Sequence, residues 1–298
     1  MGVRANRCIA AAGLAGAFAC GPQTTSPGGG PGDLPVIGDS AVTIGPNTGE
    51  ATRANGINDS NFVAGIYVDL TSTQFGWLSK NGVLSSIVVN IPGAFNTAPQ
   101  AINDSNDVVG YYTLDTSNHA FIYDGVGYAS FDYPGAAATE AFGINANGVI
   151  VGTYFMSGSA NGHAFKRTGA TYTNIDPPAA ASAAALGINS LGDIVGEYVD
   201  STGNVHGYLW THGAASPTVL NYSGVSSVLP YGINDALTIV GSAKIGSSVV
   251  GFMAKGSAVT LIEVPGAGAT EAFGINNAGL IVGVYVTTAQ FGFGLVTQ

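Results

Sequence analysis

"GINDSNFVAGIYVD", residues 56–69, recurs along the chain in altered spellings: "GINANGVIVGTYFMS" from Gly143 and "GINNAGLIVGVYVT" from Gly274. An Ile-Asn pair stands at Asn58, Asn103, Asn145, Asn189, Asn234 and Asn276, at spacings of 45, 42, 44, 45 and 42 residues. Seven residues after each Asn comes a glycine: Gly65, Gly110, Gly152, Gly196, Gly241 and Gly283. Two residues further, five of the six copies place a tyrosine (Tyr67, Tyr112, Tyr154, Tyr198, Tyr285), with Ala243 the exception. Later in each copy a small residue precedes an aromatic: Gly76-Trp77, Ala120-Phe121, Ala164-Phe165, Gly207-Tyr208, Gly251-Phe252 and Gly292-Phe293. Chance does not produce six such copies, and a fixed period of this length marks a repeat architecture.

Each unit reads as four short strands. The first ends at Ile-Asn, and a four-residue turn follows, such as Asn-Asp-Ser-Asn at 58–61. Asn and Asp suit that turn because their side chains accept local backbone N–H bonds and tolerate left-handed conformations. The Val-Gly-x-Tyr run supplies the second strand, where the recurring glycine lets it pack closely on its neighbour. A polar loop leads to a third strand carrying the aromatic, and a Gly-containing turn to a fourth, as in "YASFDYP" (128–134). Four strands in 42–45 residues is the period of propeller blades. The sixth unit reaches Gln298 after its third strand, and an unmatched strand, "SAVTIGP" (Ser40–Pro46), precedes the first Ile-Asn. The expected fold is therefore all-β: a six-bladed β-propeller of four-stranded antiparallel blades. An N-terminal strand is expected to complete the last blade and pair its open edge.

Of 298 residues, 46% are hydrophobic, 9% are charged and 45 are glycine, a balance that favours short strands and tight turns over helices. The formal charge of −10 repels phosphate backbones, so nucleic acid is not an expected partner. Residues 1–19 read as an export signal: Arg4 and Arg7 give a basic start, Cys8 to Phe18 an Ala-rich apolar stretch, and Ala17-Phe18-Ala19 a small-residue cleavage site. Its loss takes the charge from −10 to −12. Cleavage after Ala19 makes Cys20 the first residue, which resembles a bacterial lipoprotein signal and implies a lipid on Cys20 holding the protein to a membrane. Ordinary secretion from the same site would leave Cys20 as an unpaired thiol instead. Either way Cys8 departs with the signal, and no intrachain disulfide is expected. Residues 20–35, with "GPQTTSPGGGPGD" at 21–33, have the composition of a flexible tether, and 36–298 form the propeller.

His119-Ala120-Phe121 and His163-Ala164-Phe165 repeat a tripeptide, with His206-Gly207-Tyr208 a looser copy and Phe75, Val250 and Phe291 in place of His elsewhere. Together with the Ile-Asn turn and the Val-Gly-x-Tyr strand, this pattern is similar to that of the HAF-repeat family of bacterial extracellular proteins. The likeness covers Thr52 to Gln298. It implies export and a repeat scaffold, and it brings no catalytic residues.

The six Asn and six Gly read as construction, because a ligand site needs different groups converging. His119, His163 and His206 hold equivalent places in successive blades, too far apart to share one ion at about 2 Å. Blade packing or hydrogen bonding is expected of them, and His212 is a lone loop histidine. "NDSND" (103–107) has the oxygens of a calcium loop, but the turn is too short to enclose the ion and its acids dilute in later copies. No metal and no cofactor is expected. The loops between second and third strands are polar and variable, and they share a face with the connections between blades. Candidate ligand-binding groups there are Asp69, Asp115 and Asp200, with Arg53, Glu140 and Glu271 on the connections. Carboxylates there could serve as an acid/base pair on a sugar, and solvated loop charge is the plain alternative. No nucleophile elbow, phosphate loop or zinc-protease motif is present.

The expected protein is thus an exported monomer, envelope-anchored or secreted, that binds a glycan, peptide or protein partner through its loop face without catalysis. One alternative is a carbohydrate-active hydrolase or lyase with loop carboxylates at the channel mouth. The other is a purely structural surface protein. Glu140, Glu271 and Asp69 gathered in one pocket would favour the enzyme, and dispersed acids the binding module.

Overall fold

The computed structural model describes residues 36–37, 51–81, 83–286, 291–292 and 295–296. The expected leader (1–19), tether (20–35), Cys20 and closing strand Ser40–Pro46 lie outside them. Blade one runs Ala51–Ile57, Phe62–Val68, Gln74–Lys80 and Val83–Val89; blade two Asn96–Ile102, Val108–Leu114, Ser117–Tyr123 and Tyr128–Phe131. Blade three is Ala138–Ile144, Ile150–Phe155, Gly162–Thr168 and Thr171–Asn174, and blade four Ala180–Ile188, Ile194–Asp200, Val205–Trp210 and Thr218–Val219. Blade five is Ser227–Ile233, Thr238–Ile245, Ser248–Lys255 and Ala258–Ile262. In each, consecutive strands pair antiparallel in chain order, and the first strand lies innermost, against the first strands of both neighbours. The chain is a β-propeller of four-stranded antiparallel blades.

A sixth sheet holds Ala269–Ile275, Ile281–Val286 and two short pieces, Phe291–Gly292 and Leu295–Val296. Both pieces pair with Ile281–Val286 in one register, from Val286 opposite Phe291 to Ile281 opposite Val296, and so both stand in the third place of the sheet. Its fourth place is unfilled among the described residues. The described N-terminal strand, Val36–Ile37, pairs in parallel with the outer strand of blade five instead.

The repeat asparagines are 3–6% exposed in every copy, and each amide is used at both ends. Asn58 Oδ1 accepts the backbone N–H groups of Ser60 and Phe62 at 3.1 and 2.9 Å, and the same cap recurs at Asn103, Asn145 and Asn234. At the fourth place of the turn the backbone is left-handed, which suits Asn61, Asn106, Gly148, Gly192 and Gly279, whereas Leu237 is held at φ 57°. The other end of the amide reaches the next blade. Asn58 Nδ2 donates to the Asn103 carbonyl oxygen at 2.8 Å, Asn103 to Asn145 at 3.3 Å, and Asn145 to Asn189 at 3.0 Å. Asn189 donates to Asn234 at 3.2 Å, Asn234 to Asn276 at 3.1 Å, and Asn276 back to Asn58 at 3.2 Å. Six turns are joined in a closed circuit, each bond contributing about 1 kcal/mol net.

Three residues before each Asn the inner strand bulges: its pairing skips Asn55, Gln100, Phe142, Leu186, Tyr231 and Phe273 in turn. The recurring glycine of the second strand faces that irregularity. A Cβ on Gly65, Gly110, Gly152, Gly196, Gly241 or Gly283 would collide with an inner-strand carbonyl oxygen of its own blade, and Trp77, Phe165, Tyr208 and Phe252 lie across the same glycines. The apolar core is divided among the seams between blades. Ala64, Leu78 and Val89 of blade one pack on Ile102, Val108 and Phe121 of blade two. At the seam between first and last sheets, Val63 and Trp77 pack on Val282.

Candidate functional site

A β-bulge re-aims the side chain of its extra residue. Here the six bulge residues, together with Arg53, line a cavity of about 40 Å³ among the inner strands. That is room for a few water molecules. Asn55 Nδ2 donates to the Pro99 carbonyl at 2.6 Å. The Arg53 guanidinium lies 5.3 Å from the centre of the Phe273 ring. Arg53 Nε and Gln100 Nε2 are buried and have no hydrogen-bond partner.

Arg53, Glu140 and Glu271 are not on the connections, as the sequence reading had them. All three stand five residues before the repeat Asn, inside the inner strands of blade one, blade three and the sixth sheet. The second strand runs past the repeat tyrosine, and the inner strand pairs along all of it, so strand replaces connection: Ala138 is already opposite Phe155. Glu140 is 2% exposed; Asn118 Nδ2 donates to its Oε1 at 2.6 Å, and Oε2 has no partner. Burial pushes the Glu140 carboxyl up to about 7. Glu271, half-buried, is raised by burial as well, against the pull of Arg53. Glu197, on the second strand of blade four, is pushed to about 7 by burial, and nothing in the sequence pointed to it. Burial first, and then Glu140, carries Tyr111 up to about 12. The axial region thus biases its carboxyl groups toward the neutral acid.

The loop acids lie on separate blades, and Asp69 and Asp200 serve their own loops. Asp69 Oδ1 accepts the N–H of Thr71 at 2.8 Å, its hydroxyl at 2.7 Å and the N–H of Thr73 at 2.9 Å. Those bonds, the Thr71 hydroxyl foremost, hold its carboxyl below the usual range. Asp200 repeats the arrangement with Thr202 and Asn204 and also takes His206 Nε2 at 2.8 Å; the Thr202 hydroxyl bond is the largest cause of its lowered pKa. Asp115 is an exposed turn residue at φ 56°. Asp69 is a half-buried loop residue, whereas Glu140 and Glu271 sit within inner strands.

Each of the three repeat histidines has a carboxylate within its own blade. His119 Nδ1 meets Asp132 at 2.8 Å, and His163 Nδ1 meets Asp176 at 2.8 Å, each ring packing on the repeat tyrosine Tyr112 or Tyr154. Among the described residues no group of three or more His, Cys, Asp or Glu side chains could hold a metal ion.

No protein-family model and no curated protein matches the chain by sequence. Solved structures do match by shape. The chain is similar to a putative TolB from Agrobacterium tumefaciens, with a TM-score of 0.57, 10% identity, and coverage of 71% of this chain and 80% of that one. It is similar to TolB from Acinetobacter baumannii, with a TM-score of 0.53 and 12% identity; 84% of this chain spans 55% of that one, about half its length. A streptogramin B lyase structure gives a TM-score of 0.51 at 10% identity, over 86% of this chain and 97% of that one. At such identity the likeness shows the fold alone.

The bulge residues were the site group that the sequence reading passed over. A signal was available: three residues before an invariant Asn, an otherwise matched strand holds Asn, Gln, Phe, Leu, Tyr and Phe.

Proposed function

We propose that this is an exported, envelope-anchored HAF-type propeller that binds a peptide, protein or glycan partner on its loop face and catalyses nothing there. The supporting observation is on the loops between second and third strands. In four consecutive blades an apolar side chain is exposed in this loop or on the strand residue that borders it, Leu70, Leu114, Met156 and Val205, and Phe95 is exposed on a connection of the same face. A contiguous apolar patch rimmed by polar groups marks a contact surface, and we read these five side chains as parts of one. Asp69 and Asp200 beside them are spent on turn bonds, which leaves them poor acids and bases. Binding to peptide, protein and glycan arrays, read for capture and for product release, tests this. Capture without product is expected, lost in Leu70→Asp and Met156→Asp; silence in both channels sinks the reading.

The second reading, a carbohydrate-active hydrolase or lyase, draws on Glu140, whose raised pKa suits a general acid. Product release abolished by Glu140→Gln would establish it. We further propose that the sixth sheet is a sixth blade whose outer strand is Ser40–Pro46, and that a lipid on Cys20 holds the protein to its membrane. Deletion of 40–46 should destabilise the ring, and Cys20→Ser should move the protein from the membrane fraction to the soluble one.

A further inference from the structure

Arg53 is the cation in the wall of the axial cavity, and among the described residues no carboxylate sits within pairing distance of it. Its Nε–H is buried without an acceptor, and so is Gln100 Nε2 on the adjoining inner strand. A buried donor left unmet costs about 1–3 kcal/mol, and more when charged. Two such donors beside one cavity call for an acceptor inside it. Tyr231, in the same wall, accepts from Ser242 Oγ at 3.4 Å, which leaves the phenol proton to be given; burial raises its pKa and keeps that proton in place. Phe142, Leu186 and Phe273 offer no hydrogen-bonding group. Glu140, Glu271 and Glu197 are not among the lining residues, and burial raises the pKa of each, a bias toward the neutral form that lessens their pull on the arginine.

We propose that the axial cavity is a binding site for one small monovalent anion, a halide or a carboxylate of formate size, held by Arg53 and Gln100. A cavity of about 40 Å³, room for a few water molecules, suits an anion of that size. This site is independent of the loop-face reading. The test is the thermal midpoint of the full chain titrated with sodium bromide, sodium formate and, at equal ionic strength, sodium gluconate, whose anion is too large. A saturable rise with bromide, formate or both is expected, and the comparison says which class fits. Arg53→Met should raise the half-saturating concentration about tenfold or more, the loss of a charge-assisted bond, and Gln100→Leu should raise it less. Bromide-soaked crystals should show an anomalous peak beside Arg53. Equal responses to bromide, formate and gluconate, or an unchanged saturable response in Arg53→Met, would overturn the proposal and leave the cavity to water.

Discussion

The turn at the end of each inner strand and the bulge three residues before it are neighbours in sequence and opposites in variation. At the turn all six copies keep Asn; at the bulge the same copies hold Asn, Gln, Phe, Leu, Tyr and Phe. The difference is geometric. Each turn amide meets the same partners, its own loop N–H groups and the carbonyl of the next Asn, so one residue type serves six times. The bulge side chains converge on one axis, where six identical groups would compete for a single space. Repetition builds the ring, and divergence furnishes its interior.

That contrast can be broken at either end. The largest effect is expected at the shared glycine: Gly152→Ala drives a Cβ into the Glu140 carbonyl and toward Phe165, and should cost about 4 kcal/mol in urea unfolding. Next comes the buried divergent acid. Glu140 titrates near 7 when folded and near its ordinary 4.5 when unfolded, so the native state binds the proton more tightly. Its contribution is fully present below pH 4.5 and is lost as pH rises through about 7, a loss of about 3 kcal/mol. Glu140→Gln should remove that slope, measured as the wild-type-minus-variant difference at pH 4.5 and 8. Asn145→Ala empties one turn of its two caps and its bond to the next blade, and about 2 kcal/mol should go. The smallest effect has the opposite sign: Leu237→Gly relieves a left-handed leucine at an exposed turn and should add about 1 kcal/mol.

The blades, turns and glycines were legible because their signals are local and periodic. The circuit was not, because the acceptor of each amide lies 42–45 residues along the chain, or 218 for Asn276. The bulge was hidden for another reason: a two-residue alternation presumes a straight strand, and one extra residue puts the later side chains on the opposite face. Arg53, Glu140 and Glu271 were found by type and misplaced by one element. The histidine partners were readable in principle, since Asp132 and Asp176 each follow their histidine by 13 residues. His206 has Val219 at that distance, and it turns to Asp200 through its other ring nitrogen.

The central claim is that the six turns form one closed circuit, with the seam between Asn276 and Asn58 equivalent to the others. Equilibrium urea unfolding of Asn276→Ala beside Asn145→Ala tests it most directly. Equivalence predicts one cooperative transition in each variant and losses that agree within about 0.5 kcal/mol. An Asn276→Ala protein as stable as the wild type, while Asn145→Ala is weakened, would mean that the circuit is open at that seam.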